Sequence, residues 1–126
     1  MPTRDLTEQN PISRIWDIVE RARVGMLTTQ FGGGLRARPL HARPDRDAGI
    51  IWFTTDVRGA KDDEIGLVFV DARDHVYLSV TGRASVMRDT AKTKDVWTET
   101  DDIWLPGGPD DPNVRLLRMQ PVTAEL

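Results

Sequence analysis

Three consecutive glycines, Gly32-Gly33-Gly34, run into Leu35-Arg36-Ala37-Arg38-Pro39-Leu40, and this stretch constrains the fold more than any other. Glycine takes positive φ at no steric cost, so the triplet predicts a turn between two strands. The residues after it alternate apolar and charged. Side chains two apart in a strand share a face, so Arg36 and Arg38 project together, with Leu35, Ala37 and Pro39 on the other side. Proline has no N–H to give to a ladder, which predicts a free edge or a ladder gap at Pro39. A turn over Asp45–Gly49 leads to Ile50-Ile51-Trp52-Phe53-Thr54-Thr55, a run of strong strand formers. Asp56–Ala60 then leads to Lys61 at the start of a short helical segment, Lys61–Ile65. Two arginines on one strand face, two hydroxyls ending the next strand and a lysine beside a helix start suit a phosphate. The same residues also read as the solvated basic face of a small β domain.

The rest of the chain supplies more strands. Met1–Gln9 is polar and reads as a frayed end. Asn10-Pro11 is a helix start, and Ile12, Ile15, Trp16 and Val19 repeat at helical spacing, so Pro11–Arg21 is expected as an amphipathic helix with Trp16 in the core. Arg23–Gln30 is the first strand, paired as a hairpin with the arginine strand. With Ile50–Thr55 it predicts an antiparallel meander. Gly66–Asp71 is almost wholly apolar and reads as a strand buried on both faces. His75–Val86 reads as a long strand with a bulge or bend at Gly82. Asp89 is positioned to cap a helix from Thr90 to about Thr98 that buries Val96 and Trp97. Trp104–Asn113 is a turn-rich loop, and Val114–Met119 is a last strand ended by Pro121. Six strands in sequence with helices at the edges favour a closed or half-closed antiparallel barrel, a mainly β fold in a single domain over 1–126.

Composition narrows the chemistry. Net charge is −3 with no long run of one sign, so nucleic acid is not an expected partner. There are no cysteines, which excludes disulfides, thiolate metal ligands and a cysteine nucleophile, and fits a reducing cytoplasm. Two histidines, His41 and His75, are too few for a histidine-rich metal site. Neighbouring acids in Asp62-Asp63-Glu64 and in Asp101-Asp102 diverge on a short helix or loop, so they read as solvated charge and no metal is expected. No apolar run approaches the roughly 20 residues a membrane span needs. Neither a Ser-His-Asp set nor any other catalytic constellation stands out, so no catalytic residue is assigned.

Taken in order, a set of short motifs resembles the general-stress-protein branch of the pyridoxamine 5′-phosphate oxidase-like, FMN-binding split-barrel superfamily. They are Val24–Thr29, Leu35–Pro39, Trp52–Thr55, Gly59-Ala60-Lys61, Ser79–Ala84, Trp104–Pro112, Leu116–Arg118 and Ala124–Leu126. The Trp104-Leu105-Pro106-Gly107-Gly108-Pro109 loop points to this branch. The resemblance implies a six-stranded antiparallel split β-barrel with peripheral helices. It also implies a cytoplasmic homodimer with flavin sites at its interface, and FMN as cofactor without separating it from FAD. It places the FMN phosphate on Arg38 and Lys61, with Arg36 as a second arginine and the backbone of Gly59 and Ala60 close by. Pro39, Leu40, Phe53, Thr54, Thr55 and Trp104 would face the ring and ribityl chain. The connection from Lys61 to Leu67 is shorter than in relatives by about a handful of residues. The C-terminal arginine and histidine of true pyridoxamine 5′-phosphate oxidases have no counterpart, so that activity is not expected.

The implied function is an FMN-dependent oxidoreductase working on a small molecule. Two rivals remain at this stage: a flavin-binding, stress-related module without turnover, and a split barrel that takes a deazaflavin. Haem is disfavoured because no histidine or cysteine is placed to ligate iron.

Overall fold

The computed structural model describes residues 3–5, 12–31, 33–56 and 63–126. The elements run β1 (Thr3–Asp5), α1 (Ile12–Ala22), β2 (Val24–Phe31), β3 (Gly34–His41), β4 (Arg43–Asp45), β5 (Ile50–Asp56), β6 (Asp63–Asp71), β7 (Val76–Met87), α2 (Thr90–Val96), α3 (Glu99–Trp104) and β8 (Val114–Glu125). The six expected strands are all present. Two three-residue strands join them, β4 and β1. β1 lies in the stretch expected to be frayed and pairs with the end of β8, Thr3 opposite Glu125.

Every pairing is antiparallel, in the spatial order β3-β2-β6-β7-β8-β5-β4. The two ends of that order, β3 and β4, are separated in the chain by Ala42 alone. Edge strands joined by one residue force the sheet to curl, and the result is a split β-barrel. The split lies between β3, which among the described residues pairs only with β2, and β5, which pairs with β8 and β4. Here the meander expectation fails: β5 does not pair with β3. Its residues Ile50–Thr55 are all buried, which a place between two strands provides and a place beside the arginine edge strand does not. Pro39 does sit on a free edge, as its missing N–H requires.

Inward-facing side chains fill the barrel. Leu27, Phe53, Leu67, Phe69, Leu78 and Met119 are all 0% exposed, each worth about 1.5–3 kcal/mol of burial. Helix α1 packs Ile15, Trp16, Ile18 and Val19 onto this core. Residues 10 and 11, the expected cap of this helix, lie outside the described residues. A smaller cluster of Ile50, Trp52 and Leu116 lies under Met87 and Val96, on the outer side of β5. Helix α2 covers it, capped by Asp89, which accepts from the Lys92 N–H at 3.0 Å. Lys92 places its ammonium 5.0 Å from the Trp52 ring centroid.

Gly82 marks a bulge, as expected: the β7–β8 register shifts between Thr81 and Gly82. A Cβ at Gly82 would lie 2.2 Å from the Gln120 carbonyl oxygen, so the strands approach there only because the side chain is absent. Three expectations change nearby. Strand β8 runs on through Pro121 to Glu125, because Pro121 falls at this register break and between the β5 and β1 pairings, where a missing N–H interrupts little. Asp63–Ile65 is not helical but opens β6, with Ile65 opposite Gly82 and buried. And β6 is not buried on both faces: Leu67 and Phe69 point inward, while Val68 and Val70 are 42% and 48% exposed.

Candidate functional site

At the split, three elements converge on a cleft of about 270 Å³. The end of β3 gives Pro39, Leu40 and His41; the end of β5 gives Thr54, Thr55 and Asp56; α3 and the residue after it give Asp101, Trp104 and Leu105. Val24, at the start of β2, completes one wall. Five residues assigned from sequence are thus brought together: Pro39, Leu40, Thr54, Thr55 and Trp104.

The arginines sit beside this cleft. In the β2–β3 register Arg38 is opposite Leu27 and Arg36 opposite Thr29, both of which are buried. Directly opposed residues share a face, so the two arginines do project together, onto the inner side of the sheet. Burial, and after it the charge of Arg36, pushes the Arg38 guanidinium below its ordinary value, while Asp56 pulls the other way. Phe53 stands apart from its sequence assignment: it is wholly buried in the barrel core, so its ring cannot line a ligand slot. Gly59, Ala60 and Lys61 lie outside the described residues. Trp104 is 75% exposed at the cleft mouth and does not pack the following loop onto the barrel.

Sequence reasoning missed the polar wall behind the cleft. Asp101, read as solvated charge, is 4% exposed and fully engaged. Its Oδ1 accepts from the Thr54 hydroxyl at 2.7 Å, and its Oδ2 accepts from Arg43 Nη2 at 3.0 Å and from the Thr98 N–H at 2.8 Å. Arg43 also donates from Nε to the Val96 carbonyl at 2.9 Å and from Nη1 to His41 Nδ1. Burial lowers the Arg43 guanidinium from its ordinary value, and Asp101 offsets it. One buried carboxylate therefore ties α3, β4 and β5 together. The signal was present: Thr98-x-x-Asp101 has the spacing of a helix capping box. Among the described residues no group of three metal-ligating side chains lies together, and no helix is long and apolar enough to cross a membrane.

The molecule is thus a split barrel with an apolar cleft at its seam and two arginines on the inner face of the strand that ends there. The chain belongs to the family described as pyridoxamine 5′-phosphate oxidase like, whose profile matches residues 10–126. A protein described as a general stress protein 26 from Jannaschia sp. CCS1 is 30% identical, with a TM-score of 0.71 over 87% of this chain and 72% of that one. The general stress FMN/FAD binding protein from Xanthomonas citri is 25% identical, with a TM-score of 0.76 over 89% of this chain and 84% of that one. General Stress Protein 26 from Bacillus anthracis shares the fold at 22% identity, with a TM-score of 0.77 over 89% of each chain. These place the chain on the general-stress-protein branch. No curated protein sequence matches it.

Proposed function

We propose that this chain binds a flavin mononucleotide at the split and uses it as an oxidoreductase cofactor for a small-molecule substrate. The observation that carries the reading is the placement of Arg36 and Arg38 together on the inner face of the strand whose end lines the cleft. A phosphate near-dianion accepts charge-assisted bonds from guanidinium forks placed together in this way. The likeness to a general stress FMN/FAD binding protein supports the same ligand. The residues present fit the rest of it. Pro39, Leu40 and Trp104 offer apolar surface to a planar ring, and Thr54, Thr55 and backbone groups at the end of β5 offer polar contacts. The flavin supplies two-electron transfer; the protein binds it, orients it and limits water at the ring.

The cleft also argues for a second copy of the chain. At about 270 Å³ it falls below the roughly 300–1,000 Å³ of sites for ligands of this size. Val24, which lines it, also belongs to an outer sheet face where Val24, Met26, Val68, Val70 and Tyr77 are 40–51% exposed. Met26 is opposite Val68 and Val70 opposite Tyr77, so the patch is continuous across β2, β6 and β7. A homodimer formed through this face would cover the patch and add a wall to each cleft.

A second reading, flavin binding without turnover, is favoured by Asp101: both of its oxygens are engaged, so the carboxylate is not free to move protons. Two measurements decide. Protein loaded with excess FMN and desalted should retain flavin absorbance at one equivalent per chain; a folded protein that retains none contradicts the binding reading. NADH or NADPH oxidation well above that of free FMN supports the oxidoreductase, and a rate equal to free FMN supports the non-catalytic module.

A further inference from the structure

His41 ends β3, lines the cleft and receives an Arg43 N–H on its Nδ1. A guanidinium is a donor only, so Nδ1 acts as the acceptor and the ring proton of the neutral imidazole is on Nε2. Arg43 is itself fixed, by Asp101 at 3.0 Å, by the Thr98 hydroxyl at 2.5 Å and by the Val96 carbonyl at 2.9 Å. The imidazole is therefore held in one tautomer by a side chain with little freedom to move. Among the described residues Nε2 makes no hydrogen bond, although a polar N–H beside a cleft wants an acceptor.

We infer that His41 is a ring-recognition residue for the proposed flavin: its Nε2–H donates to an acceptor atom at the isoalloxazine end of the ligand, with Arg43 as the positioning residue that sets the tautomer. The inference rests on the flavin reading. His41 lines the same cleft as Leu40 and Trp104, the apolar surface that the flavin reading gives to the ring. A ring seated against that surface lies beside His41. Isoalloxazine carries carbonyl and imine acceptors on its edge and is matched by a donor, which the opposite tautomer would not provide.

The test uses 15N-histidine-labelled protein and FMN, and riboflavin as the ligand without phosphate. His75, the second histidine, lies in an exposed turn and serves as the internal reference. The ligand-free spectrum should show His41 with Nε2 protonated and Nδ1 not. One equivalent of FMN should shift the Nε2–H and protect it from exchange, leaving His75 unchanged. His41→Leu should weaken FMN and riboflavin by the same factor, about threefold to tenfold, the size of one hydrogen bond. His41→Gln, which keeps a side-chain N–H, should recover most of that loss. Arg43→Met should mix the His41 tautomers. An Nδ1–H tautomer in the wild type, or wild-type affinity in a folded His41→Leu protein, overturns the role of His41 and leaves the flavin reading standing. Failure of the wild type to bind either flavin overturns both.

Discussion

Arg38 and Asp101 show what charge does on either side of the cleft. Arg38 is held below its ordinary value by burial and by Arg36, while Asp56 pulls the other way. Arg38→Met should weaken FMN by about tenfold or more in a protein that still folds, the loss expected for a charge-assisted phosphate contact; wild-type FMN affinity in the folded variant would show that Arg38 does not hold the phosphate. Asp101 is the reverse. It is buried with four donors on it, so removing the carboxylate leaves Arg43 without its counter-charge. Asp101→Ala should cost about 3 kcal/mol, the lower end for breaking a buried pair. Denaturant unfolding measures it, and a change within about 0.5 kcal/mol would contradict the hub role. The face shared by Arg36 and Arg38 was legible from the period of two. The role of Asp101 was not, because burial of a carboxylate depends on partners 47 and 58 residues away in the chain, Thr54 and Arg43.

At the scale of elements, local pattern carried far. The alternation after the glycine turn gave β3, and the hairpin with β2 follows from it, with Gly33 at φ +84° in the connecting turn. The apolar run gave β5, and Gly82 marked the bulge. The order of strands was not legible, since it depends on which faces find cover. The same reasoning accounts for β6: an apolar run was read as buried on both sides, whereas Val68 and Val70 sit on the outer face. Helix α3 escaped notice because a six-residue helix has almost no periodicity to show. Gly82→Ala puts a methyl group against the Gln120 backbone, where neither strand can yield. It should cost about 1–3 kcal/mol, read from the denaturation midpoint. An unchanged midpoint would mean that the bulge is not a close approach.

For the whole molecule, the apolar outer face and the cleft meet at Val24, so the proposed dimer would couple oligomeric state to ligand binding. Val68→Lys places a charge at the centre of the patch while leaving the barrel interior untouched. It should shift the protein from dimer to monomer in sedimentation and weaken flavin binding in parallel; a monomeric variant with wild-type flavin affinity would separate the two. Where the phosphate sits decides whether the two arginines form a flavin site. Titration of wild type and of Arg36→Gln/Arg38→Gln with FMN and with riboflavin isolates that contribution. Wild type should prefer FMN by about tenfold to a hundredfold, the worth of one charge-assisted hydrogen bond or more, and the double variant should lose the preference while still binding riboflavin. An undiminished preference for FMN in the double variant would contradict the arginine cradle.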